Sequence, residues 1–113
     1  MIDFEIKTQK LPNGIVAISV KGFLDAYTYR KLEQTINGLF KRKVYRLIAD
    51  LSQVNYISSA GVEVFTGAMV TAQENNGDII IIAPKPNVIF RLLGLSKIFT
   101  ITNSIEHALR FFD

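Results

Sequence analysis

The stretch YRLIADLSQVNYISSAG, residues 45–61, decides the fold of this 113-residue chain. It opens with a short apolar strand pattern, residues 45–51, and closes with Ser58-Ser59-Ala60-Gly61, where an amphipathic helix pattern starts near Ala60. Serine is a favoured helix cap. A helix N-terminus carries unpaired N–H groups and the positive end of the dipole, so it would also receive a phosphate on either serine. The pattern therefore fits a plain helix cap or a serine switch.

Upstream of this stretch, the sequence predicts a β-hairpin followed by a helix. Residues 2–10 and 15–20 are rich in β-formers and are joined across Pro-Asn-Gly, residues 12–14, in which Asn-Gly is a strong tight-turn signal. Asp25 is a candidate helix cap, with Thr28 three residues on. Apolar residues then recur at three- and four-residue spacing, which predicts one buried helical face: Tyr29, Leu32, Ile36, Leu39 and Phe40.

Downstream, the sequence predicts a second helix and a fully buried strand. The residues expected on the inner face of the helix are Val64, Phe65, Ala68, Met69 and Ala72. Residues 75–77, Asn-Asn-Gly, are expected to end that helix. Residues 79–82 are four consecutive isoleucines without polar alternation, which predicts a strand covered on both faces and central to the sheet. Pro84 and Pro86 are expected to end the strand.

The last part of the chain predicts a short helix, a strand and a final helix. The short helix is expected to begin at Pro86, to end before Gly94 and to bury Val88, Ile89, Leu92 and Leu93. Residues 97–101 predict a strand. Asn103 and Glu106 have capping-box spacing before a helix expected to bury Ile105, Ala108, Leu109 and Phe112. The predicted order is β-β-α-β-α-β-α-β-α, an α/β fold with a mostly parallel sheet, an N-terminal β-hairpin and about four helices.

Composition limits the class of protein. With 113 residues, 49% of them hydrophobic and 20% charged, the chain is expected to form a single domain, residues 1–113. It has no cysteine and one histidine, His107, so thiolate or histidine-rich metal sites are excluded and we expect no cofactor. It shows no signal pattern, and its longest apolar run, residues 79–83, is far below the roughly 20 residues of a membrane helix. We expect a cytoplasmic protein without membrane insertion.

Charge and motif content argue against nucleic-acid binding and against catalysis. The net charge is +3, and the cluster Lys41-Arg42-Lys43 follows a helix pattern, where it complements the helix C-terminus. The cluster has no interleaved aromatic residues on which bases could stack. A nucleophilic Ser59 would need a base and an orienting group, but His107 lies on the last predicted helix. Gly-x-Ser-x-Gly and Gly-rich phosphate loops are also missing, so we expect a non-enzyme.

Three separated segments resemble the STAS family, the domain of anti-sigma factor antagonists that also occurs in sulphate transporters and lipid-transport subunits. Residues 22–25, Gly-Phe-Leu-Asp, together with Thr28, resemble the family's Gly-x-Leu-Asp segment at the start of its first helix. Residues 50–61, DLSQVNYISSAG, resemble its central signature, and residues 92–99, LLGLSKIF, resemble a third segment. With the element order, the resemblance spans nearly the whole chain and implies a STAS-like fold.

The resemblance implies a partner switch with Ser59 as the phosphoacceptor. In the family's antagonists this serine directly precedes Ser, Thr or Ala and then Gly. Ser58 stands where the family usually has aspartate, and it is the alternate phosphoacceptor. The unphosphorylated chain would bind an anti-sigma factor that is also a serine kinase, and so release a sigma factor for transcription. Phosphorylation would end this binding, and a serine phosphatase would act in the opposite direction.

The resemblance also implies a partner surface made of the loop before the second helix, the first turns of that helix and the neighbouring residues 22–28. The candidate partner-binding residues are Asp25, Tyr27, Thr28, Ser58, Ser59, Gly61 and Glu63. Asp25 and Thr28 have an alternative role as caps of the first helix. Glu63, four residues beyond Ser59, would repel a phosphate or act only as a solvated acid near the helix start.

The alternative function is a constitutive adaptor. In that case the domain would dock on an ATPase or transporter subunit, or in a signalling assembly, and Ser58 and Ser59 would serve only as a helix cap. The first predicted hairpin has an edge that carries Asp3, Glu5 and Lys7, charges that discourage edge-to-edge pairing. We therefore expect a monomer when the chain is alone.

Overall fold

The computed structural model describes residues 3–83, 85–95 and 99–113. The strands are β1 (Glu5–Lys10), β2 (Ile15–Leu24), β3 (Arg46–Ile57), β4 (Asp78–Ile82) and β5 (Thr100–Thr102). The helices are α1 (Tyr29–Lys41), α2 (Ser59–Glu74), α3 (Pro86–Leu95) and α4 (Ile105–Arg110). A single 3₁₀ turn, Pro12–Gly14, joins β1 to β2. The element order is the predicted one. None of the described helices combines the length and the apolar character that crossing a membrane requires.

The described strands form one sheet in the order β1-β2-β3-β4-β5. β1 runs antiparallel to β2, and each of the other neighbouring pairs is parallel. The predicted hairpin and the mostly parallel sheet are therefore confirmed. β4 is buried on both faces, as its isoleucine run predicts, but the middle position of the sheet belongs to β3.

The two faces of the sheet are covered unequally. The larger core lies on the face covered by α1, α2 and α3, and it includes the predicted inner faces of α1 and α2. The smaller core lies on the opposite face, where Ala108 of α4 packs against Ile48, Ile80 and Ile82. Helix α4 is short, so this second face is covered over only part of its length.

β2 and β3 run further than their apolar patterns predict. β2 continues past residue 20 to Leu24, and β3 continues through polar residues to Ile57, so that Leu24 pairs with Ile57. The described pairing of β3 with β4 reaches only Asp50 opposite Ile82, so the ends of β2 and β3 project as a two-stranded extension. Gly22, buried at φ 104°, adopts a backbone conformation that favours glycine at an irregularity of this pairing. The extension brings residues 22–28 beside the start of α2.

Several predicted helix boundaries near the C-terminus are wrong. Helix α3 continues through Gly94, because a glycine inside a helix costs only about 1 kcal/mol, and Leu93, predicted to be buried, is 43% exposed. The cap of α4 is Ser104, whose Oγ accepts a hydrogen bond from the His107 N–H at 3.2 Å, and not Asn103. Ile105, also predicted to be buried, is exposed because α4 turns its Ala108 side to the sheet.

Parts of three strand predictions fall outside the described residues. These parts are Ile2 at the start of the first strand, Pro84 at the end of the fourth and residues 97–98 at the start of the fifth. Within the described residues the fifth strand begins at Thr100 and continues one residue beyond its predicted end, to Thr102.

Candidate functional site

Ser58 is the N-cap of α2. Its backbone is extended, with φ −92° and ψ 173°, and its Oγ accepts a hydrogen bond from the Gly61 N–H at 3.5 Å. The Ser58 N–H donates to the Leu24 carbonyl at 2.9 Å, which ties the helix start to the end of β2. The open choice between the two serines is thereby decided, because the extended residue before the first helical turn is the one that caps.

Ser59 is the first residue of α2, and it is exposed. In the part of the chain that the structure describes, its hydroxyl makes no hydrogen bond, and no acceptor is seen for the N–H groups of Ser59 and Ala60. The helix dipole and these N–H groups favour an anion at this position. The first turn of α2 contains no acidic side chain that would compete for it. Ser59 thus presents a hydroxyl to solvent at an anion-favouring helix end.

Gly61 is buried where α2 meets the ends of β2 and β3. A Cβ atom at this position would lie 2.8 Å from Leu24 Cγ, 3.0 Å from the Leu24 carbonyl oxygen and 3.0 Å from Ile57 Cγ1. Those distances are shorter than ordinary van der Waals contacts, so only glycine permits this approach. Gly61, a predicted partner-binding residue, is therefore buried beneath the site, where it allows α2 to pack closely against the ends of β2 and β3.

Asp25 and Thr28 form a closed turn between β2 and α1. Asp25 Oδ1 accepts hydrogen bonds from the N–H groups of Tyr27 at 2.9 Å and Thr28 at 3.2 Å. The Thr28 hydroxyl donates to the Phe23 carbonyl at 2.7 Å and accepts from the Asp25 N–H at 3.0 Å. Asp25 is not the cap of α1, since Thr28 occupies that position without a side-chain capping bond. Asp25 caps the preceding turn instead, because its side chain reaches the nearer N–H groups first.

The structure brings the two predicted segments of the partner surface to the same edge of the sheet. β2 and β3 are parallel and Leu24 pairs with Ile57, so the residues that follow each strand emerge side by side. The side chains that face solvent there are those of Tyr27, which is 95% exposed, Ser59 and Glu63. Asp25 and Thr28 are half-buried because their polar atoms serve the turn.

An aromatic pair beside this edge is a feature that the sequence reasoning missed. The rings of Phe23 and Tyr56 meet edge to face, with centroids 6.2 Å apart, and both residues remain more than 40% exposed. Arg91 of α3 lies over the Tyr56 ring and donates from Nε to the Ile57 carbonyl at 3.2 Å. This arrangement joins residues from three elements, so no local sequence pattern could have revealed it.

The described residues offer no metal centre, since no group of three or more His, Cys, Asp or Glu side chains comes together among them. His107 lies on α4, where its Nδ1 is 3.1 Å from Asn103 Oδ1. The serine pair follows β3, so His107 and the two serines lie on different elements.

The family of the chain follows from this fold together with the sequence match. The family model described as the STAS domain matches residues 6–108. The chain belongs to the STAS domain family. The resemblance seen in the three sequence segments is therefore confirmed, and the parallel sheet with its N-terminal hairpin is a STAS fold.

Relatives of this STAS domain include regulatory proteins. The anti-sigma-B factor antagonist of Listeria monocytogenes is 29% identical over 104 residues, which cover 90% of each chain. Among solved structures, an anti-sigma factor antagonist from Mycobacterium paratuberculosis has a TM-score of 0.80 at 24% identity, covering 96% of this chain and 93% of that one. The antagonist SpoIIAA in its unphosphorylated form has a TM-score of 0.75 at 17% identity, covering 96% of each chain. The phosphorylated form of the Bacillus SpoIIAA has a TM-score of 0.72 at 20% identity, covering 96% of this chain and all of that one.

Proposed function

We propose that this STAS domain is an anti-sigma factor antagonist that works as a serine-phosphorylation partner switch. Unphosphorylated, it binds an anti-sigma factor that is also a serine kinase, and a sigma factor is released. Phosphorylation of Ser59 ends the binding, and a serine phosphatase restores it. The relative named as an anti-sigma-B factor antagonist supports the general role, and the existence of unphosphorylated and phosphorylated forms of SpoIIAA supports the switch.

The observation that supports this proposal most strongly is that the two serines have different structural roles. Ser58 caps α2, so the helix does not need the Ser59 hydroxyl. Ser59 is exposed at the first helical position, where a kinase can reach it. An adaptor that used the serines only as a cap would have no need of this second hydroxyl.

A phosphate on Ser59 would change the surface and leave the helix intact. Phosphoserine carries about −1.5 to −2 charges at neutral pH and three acceptor oxygens. The N-terminus of α2 favours such an anion, so the fold tolerates the modification. A partner that closes over Ser59 must instead desolvate or repel the charge, with the exposed Glu63 adding to the negative potential. A loss of about 3 kcal/mol weakens binding more than a hundredfold.

The partner surface in this proposal consists of the exposed residues around Ser59. Tyr27 offers a large aromatic side chain that is 95% exposed, a residue type enriched at the energetic centres of interfaces. Asp25 and Thr28 act by holding the turn that presents Tyr27. In this role the protein is a single cytoplasmic domain and a monomer when alone. It accepts phosphate and does not catalyse its transfer.

The first test is site-resolved phosphorylation in the native cells, during growth and under stress, by intact mass and peptide mapping. We expect a condition-dependent phosphate on Ser59. A phosphate on Ser58 alone would keep the switch but move its residue, and no phosphate under any condition would favour the constitutive adaptor.

The second test compares binding by four tagged forms in the same cells: wild type, Ser59→Ala, Ser59→Asp and Ser58→Ala. Quantitative mass spectrometry of the co-purified proteins should find a serine kinase with the wild type, with Ser59→Ala and with Ser58→Ala. The amount bound to Ser59→Asp should be clearly lower, because the carboxylate places a negative charge at the interface. Equal recovery with the wild type and Ser59→Asp would contradict the switch and support the adaptor.

A further inference from the structure

A groove between α3 and α4 lies outside the partner surface around Ser59. Its volume is about 930 Å³, and its floor is formed by Ala83, which follows β4, and by Ile101 and Thr102 of β5. The groove is therefore at the carboxyl ends of two parallel strands, the place where open α/β sheets bind their ligands. The groove is open to solvent, so a bound molecule would keep one side exposed.

The two walls of the groove differ in chemistry. The α3 wall is apolar, because Ile89 and Leu93 are four residues apart and lie on the same face of the helix. The α4 wall carries His107 and Arg110, which are three residues apart, and ends in Phe111, which is 57% exposed. Such a groove suits a molecule with an apolar body and a polar group at one end.

The charge of the groove indicates that this polar group is an anion. Among the described residues that line the groove there is no aspartate or glutamate. In the described ranges the one ion pair is that of Lys7 with Glu5, so Arg110 is not paired with Glu106, which lies one turn earlier on α4. The guanidinium of Arg110 thus has donors available for an acceptor in the groove.

We propose that this groove binds a fatty-acid anion. The hydrocarbon tail lies against Ile89, Leu93 and Phe111, and the carboxylate accepts hydrogen bonds from Arg110. The planar guanidinium of an arginine binds a carboxylate in a bidentate geometry, through two parallel N–H···O hydrogen bonds. This proposal does not rest on the switch at Ser59, and it gives the domain a ligand site separate from the one that phosphorylation would control.

The test is titration of the ¹⁵N-labelled protein with dodecanoate below its aggregation concentration, followed by NMR and calorimetry. We expect chemical-shift changes at Ile89, Leu93, Ile101 and Arg110, with saturation at one equivalent. Dodecyltrimethylammonium, with the same tail and the opposite charge, should bind about tenfold more weakly or worse, which corresponds to about 1.4 kcal/mol. Equal affinity for the two probes, or shifts centred on Phe23 and Tyr56, would overturn the proposal.

Matched variants separate the carboxylate contact from the apolar contact. Arg110→Gln should weaken dodecanoate binding about tenfold but leave the affinity for the neutral 1-dodecanol unchanged. Leu93→Ser should weaken both, and Arg42→Gln, an exposed arginine next to α1, should change neither. Circular dichroism and urea unfolding verify that each variant is folded. Equal dodecanoate affinity in Arg110→Gln and Arg42→Gln would overturn the proposal, as would self-association through this groove without any binding of dodecanoate.

Discussion

The starts of α1 and α2 lie side by side at the ends of paired strands, yet they use their polar side chains differently. Before α1, Asp25 Oδ1 and the Thr28 hydroxyl form hydrogen bonds to the turn and to each other. Before α2, Ser58 alone serves the helix, and the adjacent Ser59 is exposed. A polar motif residue is therefore better judged by its hydrogen bonds than by its place in the motif. The hydrogen bonds of Asp25 and Thr28 hold the turn before α1, whereas the Ser59 side chain is exposed to solvent.

The largest change in stability is expected from a substitution in the packing beneath the start of α2. Gly61→Ala should lower the free energy of unfolding by about 2 kcal/mol, because the added methyl group overpacks the contact with Leu24 and Ile57. Urea denaturation measures the change. Gly67→Ala is the matched control on the same helix, since nothing lies within 4 Å of a Cβ atom there. It should raise the free energy of unfolding by about 0.5–1 kcal/mol. Effects of the same sign would show that α2 is not fixed at Gly61.

The turn before α1 should respond next most strongly. Asp25→Ala removes the acceptor of the Tyr27 and Thr28 N–H groups and should lower the free energy of unfolding by about 1–1.5 kcal/mol. Asp25→Asn keeps an acceptor oxygen at the same place and should cost less than half as much. Hydrogen exchange at the Tyr27 and Thr28 amides should accelerate only in the alanine variant. Full stability of Asp25→Ala would mean that this carboxylate is kept for a partner and not for the turn.

The element order was predictable because hydrophobic periodicity and turn-forming residues are local features of the sequence. The isoleucine run predicts a strand covered on both faces, and the spacing from Val64 to Ala72 predicts the buried face of α2, as the structure confirms. The extension of β2 and β3 was not predictable, since Gln53, Asn55 and Tyr56 interrupt the apolar pattern. These residues are exposed on the projecting extension of β2 and β3. The extension forms because the two strands pair with each other there, which the sequence of either strand alone does not indicate.

The candidate site was predictable in part, for similar reasons. Ser59 could be singled out because its motif lies within one segment of the chain. The sequence did not decide which of the two serines caps α2, because that depends on the extended backbone of Ser58. The choice between Asn103 and Ser104 is equally local, but both are good caps and only the backbone decides. The contact of Arg91 with Tyr56 joins residues 35 positions apart. Nothing in the local pattern around either residue encodes it.

Loss of the cap of α2 should have a smaller effect than loss of the turn. Ser58→Ala should lower the free energy of unfolding by about 0.5–1 kcal/mol, at the low end for caps because the bond to the Gly61 N–H is long, at 3.5 Å. Ser58→Asp restores a strong cap and should recover the loss, as urea denaturation would show. If Ser58→Ala were neutral and Ser59→Ala costly, the assignments of cap and free hydroxyl would have to be exchanged.

Ser59 itself should matter least for stability and most for binding. Ser59→Ala should change the free energy of unfolding by less than about 0.5 kcal/mol, because its hydroxyl makes no hydrogen bond in the described part of the chain. Ser59→Asp should be neutral or stabilising by about 0.3–1 kcal/mol, since a carboxylate in the first turn complements the helix dipole. Urea denaturation and an NMR fingerprint spectrum measure both. A loss above about 1 kcal/mol in Ser59→Asp would mean that a negative charge disturbs the fold. Unchanged stability would assign any loss of partner binding by this variant to the surface alone, which is what a switch acting by repulsion requires.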